Sequence, residues 1–493
     1  MPRLVRLLAA FLLLLGGVGA LATSLPGPTL FDTSWQDRES LLRDVAPGSY
    51  GEALELDTAT IYHLELTLDE SLTSLHGRQE VYFTNTSGGQ LEEVMFQLLP
   101  NVLGGRLSIG MLEVDGIPVA VEYLRAGSVL RVVAPEPLGL GESTVIALEF
   151  ELLVPRGIER NYGIIAYREG VLSLAHAYPT LAVFDGERWD LDRPPAYGDL
   201  IFSESSFYLV KVVAPAELKV VTSGVQVSRD DEGSMVSTTF VAGPVRDFYL
   251  CASRDYQVET RIQGDITFHS YWLPGQREAA KLVLDDAVAA WQHFSERFGP
   301  YPYRELDFVP IDTSALGVEF PGIIALASRL YRPGGSGSLL EGVTAHEVAH
   351  QWFYGVVGSD QVSEPWLDEA LAQYASLLYF GYRYGQPGYR GFRQSLLERW
   401  DRVDRAVVPI GQPTGVYTAR EYGALVYGLG PLVLEDLAAE LGSDVFAEFL
   451  RDYYQLFRFR TVTTEAFRSL AEEHCDCDLS AFFETWIVGR MPP

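Results

Sequence analysis

Between Ser338 and Tyr374 the chain carries two histidines and several acids at spacings that leave little freedom in what this stretch can fold into. In Thr344-Ala345-His346-Glu347-Val348-Ala349-His350-Gln351-Trp352-Phe353, His346 and His350 stand four residues apart, so on a helix both imidazoles project from one face. The surroundings predict that helix. Ser338 followed by Glu341 makes a capping box, Gly and Pro fill the preceding run, and Val343, Val348, Ala349, Trp352 and Phe353 supply an apolar body.

Two imidazoles so placed, with Glu347 beside them, form the H-E-x-x-H pattern of a zinc peptidase, in which the glutamate serves as base. A catalytic zinc needs three protein ligands and an open fourth position. The metzincin pattern would put glycine at 353 and histidine at 356, where this chain has Phe353 and Val356, and no histidine follows before His474. A nearby carboxylate is therefore the candidate third ligand. The downstream run Ser363-Glu364-Pro365-Trp366-Leu367-Asp368-Glu369-Ala370-Leu371-Ala372-Gln373-Tyr374 reads as a second helix, with Ser363 as cap and Pro365 in its first turn.

H-E-x-x-H, eighteen residues, then a glutamate in a Trp-Leu-x-Glu-x-x-Ala context resembles the zinc aminopeptidases of the aminopeptidase N family, gluzincins with a thermolysin-like catalytic domain. The resemblance implies one zinc ion held by His346, His350 and Glu369. Asp368 lies about 100° round the helix from Glu369. It is expected, with Glu364, to solvate the acidic helix start.

The formal charge of -29 and pI near 4.6 argue against nucleic-acid binding, which wants a basic face. With 493 residues, 47% of them hydrophobic, the chain can build two or three domains. Residues 1–22 read as an export signal: Arg3 and Arg6 form a positive end, residues 7–22 are apolar, and Ala20-Leu21-Ala22 suits cleavage. A retained N-terminal anchor is the other reading, and an exported location, periplasmic or extracellular, is expected in both cases. Cys251, Cys475 and Cys477 are too few for a disulfide scaffold, and the His474-Cys475-Asp476-Cys477 cluster lacks a second ligand pair for a metal.

After a polar extension at 23–50, alternation of period two begins at Ile61 to Leu68 and recurs at Gln79 to Phe83, Val94 to Leu99, Val129 to Val133, Val145 to Leu152 and Ser206 to Val213. This predicts an all-β domain over 51–262. The family opens with a saddle of β-strands, and Phe96-Gln97-Leu98-Leu99-Pro100-Asn101 resembles its phrase there. The segment His176-Ala177-Tyr178-Pro179 resembles the stretch that walls the substrate pocket, which makes Tyr178 a candidate substrate contact. His63, His76 and His176 otherwise sit in ordinary strand and turn surroundings. Asn85-Thr86-Ser87 is a glycosylation sequon on a turn.

Helical periodicity takes over at Arg277 to Phe298, so a mainly α, thermolysin-like domain is expected over 263–493, giving an α+β multidomain chain. Two strands, Leu306 to Ile311 and Ile323 to Ser328, flank a loop reading Gly317-Val318-Glu319-Phe320-Pro321-Gly322. An exopeptidase must hold a free ammonium group, and Glu319 can supply the carboxylate. The family's exopeptidase motif, Gly-x-Met-Glu-Asn or Gly-Gly-Met-Glu-Tyr-Pro-Gly, occupies this place; here Leu316, Val318 and Phe320 depart from it while Gly317, Glu319, Pro321 and Gly322 remain.

Helices are expected near Arg390 to Asp404, from Arg420 to Leu441, and at about 443 to 458 and 463 to 474. Within the second, Leu425-Val426-Tyr427-Gly428-Leu429-Gly430 resembles the family's Val-Tyr-x-x-Gly turn, which makes Tyr427 the oxyanion donor and Tyr422 a second pocket residue. The long C-terminal helical domain of larger members is not recognisable, so an open cleft is expected, or one roofed by another copy or partner.

The expected activity is hydrolysis of the N-terminal peptide bond of peptides with a free N-terminus, with Glu347 as base. The altered loop around Glu319 keeps open an endopeptidase or a peptidase of blocked peptides. A binding module with a vestigial zinc site is the reading from another class.

Overall fold

Four of the six period-two runs of the first half enter an eight-stranded sheet, ordered by residue number 225–232, 235–245, 206–215, 61–68, 74–84, 143–153, 106–114 and 117–118, while the runs at 94–99 and 129–133 pair with each other in a four-stranded one. The central strand of the larger sheet, Ile61–Leu68, pairs antiparallel with Ser74–Thr84 and parallel with Ser206–Pro215. Leu64, Leu66 and Leu68 share one face and are at most 2% exposed. Burial of each contributes about 2 kcal/mol. Two four-stranded sheets complete this half. The computed structural model describes residues 30–489 apart from 33, 36, 194–196, 199–201, 333, 335, 336 and 406–408, so the export signal read over 1–22 lies outside the described residues. No described helix is long and apolar enough to cross a membrane.

Asn85, the first residue of the sequon, is fully buried. Its Nδ2 donates to the carbonyls of Gly89 and Leu138, each at 2.8 Å, and closes the turn from inside. An amide spent on two buried carbonyls is not offered for modification.

The second half is built on a five-stranded sheet ordered 257–263, 266–272, 305–311, 323–327 and 317–320, with helices around it. The division expected at 262 falls inside the strand Gln257–Gln263, which pairs with Ile266–Trp272 in this sheet, so the second half begins ahead of it. The segment read as a loop around Glu319 is the edge strand Gly317–Phe320, antiparallel to Ile323–Ala327. The chain is thus a β-rich half followed by a mainly helical one, the expected fold class.

Three helix boundaries differ from expectation. The first histidine helix spans Gly337–Ala349, which puts Ser338 inside it. Glu341 does not close a capping box; its carboxylate accepts from the hydroxyls of Tyr379 and Tyr384 at 2.8–2.9 Å. The next helix runs Trp366–Trp400, beginning after Pro365, while Ser363 N donates to Asp360 Oδ1. It bends where Gly385 takes φ 62° and Pro387 follows, so the helix expected from Arg390 is its second limb. The stretch 420–441 is broken by a π-turn at Leu425–Leu429 between Ala419–Ala424 and Gly430–Leu441. Near the end, Cys475 and Cys477 are joined as a disulfide, and Cys251 is a buried thiol.

The two halves are locked together beside the histidine helix. Arg246, from the β-rich half, is buried, and its guanidinium donates to the carbonyls of Ser203, Tyr354 and Arg460 at 2.5–2.9 Å. Gly358 makes room for it, since a Cβ there would come within 1.8 Å of the guanidinium carbon. The hydroxyl of Tyr354 donates to the adjoining Asp247. The turn that follows His350 is therefore held from both sides.

Candidate active site

Helical periodicity brings His346 and His350 together, and the first turn of the Trp366–Trp400 helix delivers Glu369 to them. The Nε2 atoms of the two histidines face each other at 3.2 Å, and Glu369 Oε2 lies 3.2 Å from one and 3.4 Å from the other. All three side chains are buried, with Glu369 3% exposed and His350 fully enclosed. Zinc bonds of about 2.0–2.2 Å in a tetrahedron separate neighbouring ligand atoms by about 3.3–3.5 Å. Three lone-pair atoms converging at that spacing fit one zinc ion. Burial, with His350 adding to it, pushes the His346 imidazole down to about 4, so it is neutral and able to ligate.

Asp368 is not at the solvated helix start that its position in sequence suggests. It is 1% exposed, accepts a hydrogen bond from His350 Nδ1 on Oδ1, and takes another from Gln361 Nε2 on Oδ2. Against the pull of burial, its carboxylate holds the His350 imidazole well above its ordinary value. Donation from Nδ1 to Asp368 leaves Nε2 as the ring atom that faces His346 and Glu369, the one that would ligate zinc on giving up its proton. The readable signal was the Asp-Glu pair in that first turn, because adjacent helical positions about 100° apart can serve the metal and a ligating histidine at once. Glu364 is likewise used internally, accepting from Thr464 N at 3.0 Å.

These side chains open onto a cavity of about 900 Å³. Glu347 projects into it, 4% exposed, with Oε2 buried and without a hydrogen-bond partner among the described residues. Burial, reinforced by the carboxylates of Glu369 and Asp368 and opposed by His350, pushes its carboxyl up to about 8. Gly317 is placed against it: a Cβ there would sit 2.3 Å from Glu347 Oε1. The glycine is thus a steric requirement for the base rather than a contact for substrate alone.

Glu319 lines the same cavity from the edge strand and is 8% exposed. The strand is tied to the histidine helix through Gln351, whose Nε2 donates to Phe320 O at 3.1 Å and whose Oε1 accepts from Gly322 N at 2.9 Å. Tyr427 stands at the opposite wall and donates its hydroxyl to Glu369 Oε1. The π-turn that carries it packs closely on the long helix: a Cβ at Gly428 would meet Trp400 N at 2.9 Å, and one at Gly430 would meet Ala370 Cβ at 2.5 Å. Tyr422 is buried behind, its ring 5.6 Å from that of Tyr427.

Tyr178 is not brought to the cavity. It is 1% exposed in the core of the β-rich half, where its hydroxyl donates to Tyr208 at 3.2 Å and accepts from Phe248 N at 3.1 Å. The residue of that segment which lines the cavity is His176, with φ 47° and a buried, unpartnered Nδ1. Burial pushes its imidazole down to about 4, so it faces the cavity neutral. The strand Val171–Leu174 ends before either residue, so no alternation holds two residues two apart on one face, and His176 sits in a left-handed conformation.

Residues 283–486 match the Peptidase family M1 domain. Aminopeptidase M1-A of Oryza sativa subsp. japonica is 22% identical over 418 residues, covering 78% of this chain and 47% of that protein. Glutamyl aminopeptidase of Mus musculus is 23% identical, covering 58% of this chain and 32% of its own. The chain thus spans about a third to a half of the length of these curated relatives. Crystal structures of an M1 zinc metallopeptidase from Deinococcus radiodurans share the fold: a mutant superposes with a TM-score of 0.66 at 21% identity, covering 89% of this chain and 96% of the other. Another of that protein, bound to a Tyr-Ser-Ala substrate, gives 0.65. Residues 283–486 are thus similar to the Peptidase family M1 domain, and the chain shares the fold of an M1 zinc metallopeptidase over 89% of its length.

Proposed function

We propose that the protein is a zinc-dependent aminopeptidase that hydrolyses the N-terminal peptide bond of peptides. The observation that carries this reading is a single cavity lined by Glu319, by Glu347 and by His346 and Glu369 of the three-residue ligand cluster. Zinc, when bound, supplies Lewis acidity toward the scissile carbonyl and a water. Glu347 takes up the proton of the attacking water on its carboxylate and returns it to the leaving amine. Tyr427 turns its hydroxyl from Glu369 toward the oxygen on which charge develops. Glu319 anchors the substrate ammonium, and His176, neutral, walls the space around it without repelling that cation.

Amino-acid anilides provide the test. Zinc-loaded protein should hydrolyse a panel of them, a chelator should abolish the turnover, and N-acetylated forms should be poor substrates. Equal use of free and acetylated forms would mean that Glu319 anchors no amine and would favour the endopeptidase. An exported protein, by cleaved signal or retained anchor, is further inferred from Arg3, Arg6 and the apolar run 7–22. Size comparison of the secreted and full-length chain tests it.

A further inference from the structure

Away from the cavity, the sheet of the helical half holds a second convergence of ligand atoms. His269 and Asp307 are register partners on neighbouring parallel strands, and Glu305 lies two residues before Asp307, on the same face of its strand. One ligand atom from each of His269, Glu305 and Asp307 lies within 4.8 Å of the others. His269 Nδ1 is engaged with Thr260 Oγ1 at 2.8 Å, which leaves Nε2 facing Glu305 Oε2 at 3.5 Å, beyond hydrogen-bond length.

Asp307 is the independent observation. It is 2% exposed, and its Oδ1 is buried with no hydrogen-bond partner among the described residues. Asp44, also 2% exposed, is a further carboxylate near enough to act on Asp307. The nearby cation Arg304 is committed elsewhere, donating to Val45 O and to the Tyr50 hydroxyl, each at 3.0 Å. A buried carboxylate without a donor is costly unless a cation or a proton reaches it.

We propose that His269 Nε2, Glu305 and Asp307 bind a second zinc ion, separate from the one at His346, His350 and Glu369. One imidazole and two carboxylates form a donor set that suits zinc better than calcium or magnesium, which take oxygen ligands. The 3.5 Å separation matches a tetrahedral edge of about 3.3–3.5 Å. His269 and Glu305 side chains are 21% and 28% exposed, which leaves the ion an entry path. The site is structural: it joins two strands at the point where the N-terminal segment docks, through Arg304 N to Asp44 O at 2.8 Å and Ala46 N to Pro302 O at 2.7 Å.

Zinc content of the full chain, measured by mass spectrometry after loading and desalting, tests the site. Two zinc ions per chain are expected, falling to one in His269→Ala and to one in Glu369→Ala, with anilide hydrolysis retained in the first variant. Glu305→Gln, a milder change, should also lose one ion and covers the case in which His269→Ala does not fold. Equal zinc in wild type, His269→Ala and Glu305→Gln overturns the site. A wild-type content of one ion that is lost only in Glu369→Ala also overturns it while leaving the catalytic centre intact. Loss confined to His269→Ala and Glu305→Gln upholds this site and removes the catalytic one.

Discussion

Two walls of one cavity are built in opposite ways here. His346, Glu347, His350 and Glu369 come from consecutive helices, and their meeting follows from helical periodicity and one short connection. His176 stands 170 residues before His346 in the chain and reaches the cavity through a left-handed turn in a separate domain half. Between the two walls lies the edge strand Gly317–Phe320, tied to both the sheet and the histidine helix. The comparison teaches that reactive groups on one rigid pair of helices tolerate little change, whereas the shaping wall acts by exclusion and should tolerate more.

The largest effect is expected where the helix pair carries the chemistry. Glu347→Gln should lower kcat by about 10²–10⁴-fold with zinc content unchanged. Turnover near the wild-type rate would take the base away from Glu347 and with it the contrast between the walls. Gly317→Ala comes next, because its Cβ would occupy the space of Glu347 Oε1, 2.3 Å away. A fall in kcat of about 10²-fold is expected from displacement of the base, with little change in thermal stability. If kcat holds, the carboxylate does not rest against Gly317 during catalysis.

Asp368→Asn keeps the shape of the buried side chain but weakens the bond to His350 Nδ1. Zinc affinity, followed by competition with a chelator, should drop by about 10–100-fold. The opposite wall is tested by a pair. His176→Gln should change KM by about three- to tenfold, in the range of about 1 kcal/mol, while Tyr178→Phe should leave KM alone and cost about 1 kcal/mol of stability. The reverse pattern would return the wall to Tyr178.

A pH-dependent effect concerns the β-rich half by itself. His63 is 1% exposed and stacks on Trp35, and burial pushes its imidazole down to about 4. Its folded value lies below the unfolded one, so below about pH 6.5 the unfolded chain gains the proton first and stability falls as the pH drops toward 4. Between pH 7 and pH 5 urea unfolding should lose about 1–2 kcal/mol more in wild type than in His63→Phe. Equal losses would place the acid sensitivity elsewhere.

Much of the molecule is readable without coordinates, and the exceptions share a cause. The strand Ile61–Leu68 starts and stops where alternation does, because a half-buried sheet imposes its period on the side chains. The helix Arg277–Arg297 and the histidine pair are equally direct. Asp368 and Tyr178 went astray for one reason, which also governs Asn85. Each is a polar or amphipathic residue whose local pattern suits a surface or a pocket, while its real partners, His350, Leu138 and Phe248, lie 18, 53 and 70 residues away. Gly317 was placed in the pocket, but its steric role against Glu347 is a contact across 30 residues that no local pattern records.

The sequence by itself determined the order of a sheet half and a helical half, and the three zinc-ligand positions with their base. The two halves and the histidine pair follow from periods of 2 and 3.6 residues, which are properties of the backbone, while Glu369 as third ligand is what the family resemblance implies. Only the tertiary structure decided which carboxylate orients His350, which residue of the 176–178 segment reaches the cavity, and that His269, Glu305 and Asp307 converge around an unpaired buried oxygen. Long-range neighbours fix the electrostatics and burial of a side chain, and those are set by packing rather than by spacing.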